Sequence, residues 1–169
     1  MSLNSNWSRW ITASVNDHFA SQSGIVKLED WSSGDSDLPL IVRGQQFETD
    51  TDRMDLVELR LDGPDFAEVS INHYHAYIEV NTLIQSVISE TDIYKMARSI
   101  GIVQACFTDI PLYKYGDDDS LFGCLTLIAN PTGTKGNRLE VSQFGQIDPR
   151  LKLEQTTIEG HYFGWLEGD

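Results

Sequence analysis

The stretch EVSINHYHAYIEV, residues 68–80, places two histidines, His73 and His75, one residue apart in a run that alternates like a β-strand. Side chains two positions apart on a strand share a face, so these imidazoles could converge on zinc or copper, with Glu79 further along that face. A closed site needs a third and fourth ligand. None follows at a recognisable spacing, and His18 and His161 lie far off in the sequence. The pair therefore reads as a solvated or interface-facing strand edge, while Tyr74, Ala76, Ile78 and Val80 turn to the core. Asp117, Asp118 and Asp119 are a second candidate cation site, in GDDDS. They lack the glycine and terminal glutamate of a twelve-residue calcium loop and read as a solvated acidic loop. Cys106 and Cys124 show no zinc or redox spacing and sit among apolar neighbours, which predicts two small core residues in a reduced compartment.

Catalytic motifs are missing. The chain has no G-x-S-x-G elbow, no P-loop, no dinucleotide fingerprint and no H-E-x-x-H. No serine or cysteine has the local context of an activated nucleophile, and carboxylates are so plentiful that none stands out. The expectation is a protein that is not an enzyme, with no catalytic, cofactor-binding or metal residue and no cofactor. A Ser–His–Asp or Cys–His set that meets only in space keeps a hydrolase as an alternative.

The bulk numbers bound the remaining classes. With 169 residues, 40% hydrophobic and 10% aromatic, the chain can bury one sizeable core. The net charge of −14 repels DNA, RNA and anionic lipid and so argues against a grip on nucleic-acid phosphates. Acidity fits solubility, a cationic partner surface, or a duct past which DNA slides without adhering. No apolar run is long enough to span a bilayer, and the N-terminus lacks a basic-then-apolar leader, which predicts assembly in the cytosol without a membrane.

Several elements can position these residues. Trp7, Trp10, Ile11, Ser14, Val15, His18 and Phe19 fall on one helical face, with Ser5 or Asn6 as N-cap and Gly24 as the stop. IVKLEDW reads as a short strand, LPLIVRGQQF as a strand opened by Pro39, and DLVELRL as a half-buried strand broken by DGPD at 62–65. The histidine strand can run on to about residue 87 or break near Asn81. In SETDIYKMARSIGIVQACFTD, Ser89 and Asp92 resemble a capping box, and Ile93, Met96, Ala97, Ile100, Val103 and Phe107 form a core stripe. Gly101 would let that helix lie close on a sheet, and Pro111 ends the region. SLFGCLTLIAN then reads as a strand apolar on both faces. RLEVSQFGQI reads as another strand, and LKLEQTTIEGHYFGWLE as one strand or two, with Gly160 and Gly164 marking kinks or close backbone contact. The predicted class is α+β: a mixed, mainly antiparallel sheet with two helices packed on one face. The predicted organisation is a single domain over 1–169, with loop or hairpin excursions near 44–65 and 129–150.

In this order the elements resemble the tail terminator, or tail completion, proteins of long-tailed bacteriophages. The helix WSRWITASVNDHF comes first. LPLIVRG stands where that family has a proline-marked strand, FPxVxVxxG, and HYHAYIEVNTLIQS where it has a strand written W…xIxVxV. The helix DIYKMARSIGIVQACF precedes closing strands that end in IEGHYFGWLE. The insert GTKGNRLEVSQFGQIDPR is longer than that pattern, and no family residue is carried over. The resemblance implies a virion structural protein at the head–tail interface, assembled in the host cytoplasm. It would form a ring, commonly of six subunits, that caps the tail tube and meets a head connector or stopper. DNA would pass through the lumen without specific binding. Loop 48–55, tip 131–137 and the His73/His75 face are the candidate contact surfaces. The alternative is a small cytosolic binding or interaction domain.

Overall fold

The computed structural model describes residues 4–28, 38–42, 55–88, 93–114, 120–129, 138–148 and 152–167. Ser89, Asp92, Asp117 to Asp119 and the tip 131–137 lie outside these residues, as does all of loop 48–55 except Asp55.

The chain order is α1 (Trp7–Ala20), β1 (Ile25–Lys27), β2 (Leu38–Val42), β3 (Leu56–Ser70), β4 (His73–Val87), α2 (Lys95–Cys106), β5 (Ile110–Tyr113), β6 (Leu121–Ile128), β7 (Leu139–Asp148) and β8 (Leu153–Glu167). The strands form one sheet in the order β1-β2-β3-β4-β8-β6-β5, with β7 also beside β8. β1–β2 and β2–β3 are parallel, and the remaining pairs are antiparallel. The seven-stranded path curls into a half-barrel.

The α+β assignment is overturned: this fold is dominated by its sheet. Three strands reach 15 residues, whereas the helices have only 14 and 12. The reason is that the predicted break at DGPD is absorbed, and of the alternatives at Asn81 and at Gly160 and Gly164 the continuous strands are the ones formed. DGPD does not end β3; a register shift between Asp62 and Asp65 lets the strand continue along β4 to Ser70. Gly63 within it has φ 104°, and a Cβ there would stand 2.9 Å from the Tyr77 carbonyl oxygen. Asn81 lies inside β4, which pairs with β8 without a break from His73↔Glu167 to Val87↔Leu153. Gly160 and Gly164 do not split β8. They make room for the Phe107 ring and the Cys124 carbonyl, which a Cβ would approach to 2.7 and 2.9 Å. RLEVSQFGQI, read as a strand, forms β7, which pairs with β8.

The core follows from period-two alternation. Tyr74, Ala76, Ile78, Val80, Thr82, Ile84 and Ser86 of β4 are all buried, and their odd-numbered neighbours face the other way. Against this face pack Trp7, Ile11, Val15 and Phe19 of α1, as the helical stripe predicts. Trp7 meets Tyr74 edge-on at 5.3 Å, and Phe19 meets Phe107 at 5.1 Å. α1 contacts β1 and β3 towards one end of the sheet path and β5 at the other, so it fills the curl. Its start differs in detail from expectation: Asn6 makes no side-chain cap, and Asn4 Oδ1 instead accepts the Asn6 amide at 2.9 Å.

α2 packs on β4 and β8, and Met96, Ile100, Val103 and Phe107 of the predicted stripe reach the core. Ser99, Val103 and Cys106 are buried, Ala97 is exposed, and Ile93 is 71% exposed because the helix begins only at Lys95. Gly101 is exposed, with nothing within 4 Å of a built Cβ, so it serves no close approach. Asp55 ties this region together: its carboxylate accepts the Val87 amide at 2.9 Å and the Ser86 hydroxyl at 3.2 Å, and pairs with Lys95. Pro111 sits inside edge strand β5, where a missing N–H is tolerated. Leu125 and Leu127 are the buried residues of β6; Leu121 and Cys124 are exposed, so neither a doubly apolar strand nor a core Cys124 is found. Cys106 is buried, which pushes its thiol up to about 11.

Candidate functional site

The face of β4 and β8 turned away from the helices carries the polar side chains that the strands bring together. Glu79 lies directly opposite His161, and Asn81 opposite Glu159. Tyr77, Glu79 and Asn81 alternate on β4, as Glu159 and His161 do on β8, so all five share that face. His161 is 5% exposed and has a partner on each ring nitrogen. Tyr77 Oη lies 2.7 Å from Nδ1, and Glu159 Oε1 lies 2.7 Å from Nε2. With Nε2–H donating to the carboxylate, Nδ1 accepts from the Tyr77 hydroxyl. Asn81 Nδ2 donates to Glu79 Oε1 at 2.8 Å.

The electrostatics are one-sided. Asp62 of β3 faces Glu79 across the strands, and Glu140 of β7 faces Glu159. Burial, then the charges of Glu79 and Glu140, raise the Glu159 carboxyl above its ordinary value, against the opposing pull of His161. Burial and the charges of Glu79 and Glu159 raise the Tyr77 phenol as well, so it stays a neutral hydroxyl near pH 7. A phenolate nucleophile is thus disfavoured. Arg60, opposite Asn81, gives its guanidinium to Glu58 at 2.9 Å.

Glu79, Glu159 and His161 each offer a ligand atom, and these atoms all lie within 4.8 Å of one another. Among the described residues this is the only such trio of histidine, cysteine or carboxylate groups. The chain also supports proton exchange along Tyr77–His161–Glu159, a hydrogen-bonded acid–base series.

The residues singled out from sequence have other positions. His73 is exposed, with Nδ1 3.0 Å from the Ile71 carbonyl oxygen and Nε2 3.8 Å from Glu167. His75 is half-buried, not simply surface: its ring lies edge-on to Trp165 at 4.0 Å and to Phe163 at 4.6 Å. Although the two histidines share a strand face, His73 has polar neighbours whereas His75 packs between rings and its buried Nε2 has no hydrogen-bond partner among the described residues. His18 Nε2 donates to the Cys106 carbonyl at 2.9 Å, a rim role. The cluster around His161 was missed because Tyr77 and His161 are 84 residues apart. The available signal was the alternation itself, H-x-Y-x-E in β4 beside E-x-H in β8, which acquires meaning only once the two strands pair in this register.

No protein-family model matches the chain, and no curated protein matches it.

Proposed function

We propose that this chain is a structural subunit of a ring at the head–tail interface of a long-tailed bacteriophage, capping the tail tube and leaving a lumen for DNA. The observation that carries the reading is an apolar end of the sheet. Val69 and Ile71 at the β3–β4 turn are 50% and 83% exposed, and Trp165 near the end of β8 is 60% exposed. Leu121 and Tyr113 emerge at the same end, 61% and 37% exposed, because β5 and β6 begin or finish beside the last residues of β8. Large apolar side chains gathered at one end of a small acidic protein favour burial against another chain, here a second copy.

The charge of −14 supports the same reading: a lumen of like sign lets DNA slide, and acidic ring faces can meet cationic partner rings. The outer edge of β7, paired among described strands only with β8, offers backbone groups for lateral contact. The reading now rests on surface and charge, since the α+β class expected with the family is not what the chain adopts.

Native mass spectrometry with negative-stain microscopy tests it. The expected result is a closed ring of about six subunits for the wild type, with Ile71→Asp shifted to monomer at an unchanged circular-dichroism spectrum. A chain that stays monomeric at every concentration, with Ile71→Asp indistinguishable from it, sinks the reading.

A further inference from the structure

We propose that Glu79, Glu159 and His161 form a binding site for a divalent transition-metal ion of the zinc class, clasping β4 to β8. This does not rest on the ring reading. The donor set is the first reason. One imidazole and two carboxylates from two paired strands make a three-ligand nitrogen–oxygen set, which suits zinc better than calcium or magnesium. Ligand atoms within 4.8 Å of one another need only small rotamer adjustments to reach metal bonds of about 2.0–2.2 Å.

The second reason lies behind the ligands. Metal-bound histidines and carboxylates are held by hydrogen bonds from their far sides, and here both kinds of support are in place. Tyr77 Oη holds Nδ1 of His161, leaving Nε2 turned to Glu159, and Asn81 Nδ2 holds Glu79 Oε1. When an ion takes Nε2, the ring proton moves to Nδ1 and donates to Tyr77, whose hydroxyl becomes the acceptor. The third reason is charge. Asp62 lies opposite Glu79 on β3 and β4, Glu140 lies opposite Glu159 on β7 and β8, and Arg60 of β3 is committed to Glu58. A bound dication relieves the repulsion among these carboxylates.

The test uses the full chain, freed of metal by a chelator and titrated with Co2+ and Zn2+. One ion per chain is expected. Cobalt should give a visible ligand-field spectrum without a sulfur charge-transfer band, since Cys106 and Cys124 are not ligands. Glu79→Gln and Glu159→Gln should each weaken zinc binding by at least about tenfold, and Tyr77→Phe, which keeps every ligand, by roughly tenfold. His73→Ala should leave it unchanged. Absence of stoichiometric uptake overturns the proposal. So does uptake that survives both glutamine variants, or that disappears in His73→Ala.

Discussion

On the helix-side face of β4 and β8, Ala76, Ile78, Val80, Ile84, Ile158 and Tyr162 have no exposed surface. On the opposite face, the same two strands carry Tyr77, Glu79, Glu159 and His161, joined by hydrogen bonds and surrounded by further carboxylates. The backbone ladder is common to both faces, so the difference comes from what each side chain loses on leaving water. Burial of apolar area, about 25 cal/mol per Å², stabilises the first face. On the second face each polar group must recover in hydrogen bonds what it gives up in hydration, and the net gain is small. One face holds the fold together and the other is left free for chemistry.

This contrast can be broken by substitution. Ile78→Ala removes a fully buried side chain from the centre of the core and should cost about 2–5 kcal/mol in urea unfolding. Gly164→Ala, on the same core side of β8, should cost about 1–3 kcal/mol, because its Cβ would stand 2.9 Å from the Cys124 carbonyl oxygen, a backbone atom. Arg60→Ala, on the opposite face, deletes a pair in which the arginine side chain is 57% exposed; the expected change lies within about 0.5 kcal/mol. If Arg60→Ala proved as costly as Ile78→Ala, the polar face would be part of what stabilises the fold and the contrast would fail.

Where periodicity is strong, the elements were legible from the residues alone. Trp7, Ile11, Val15 and Phe19 repeat every four residues and form the buried stripe of α1. Tyr74, Ala76, Ile78 and Val80 repeat every two and form the buried face of β4. Local pattern suffices there because each residue's burial follows from the geometry of its own element. The balance of the fold and the content of the site came instead from long-range pairing. DGPD, Asn81, Gly160 and Gly164 look like breaks, yet their neighbours across the sheet keep β3, β4 and β8 continuous for 15 residues each. Whether such residues interrupt a strand depends on what packs beside them, which a local window does not contain. Of the neighbours of His161 only Glu159 is local; Tyr77 and Glu79 stand about half the chain away. The pairing of β4 with β8 brings Glu79 to its side, because strand register, a long-range property, sets which side chains meet.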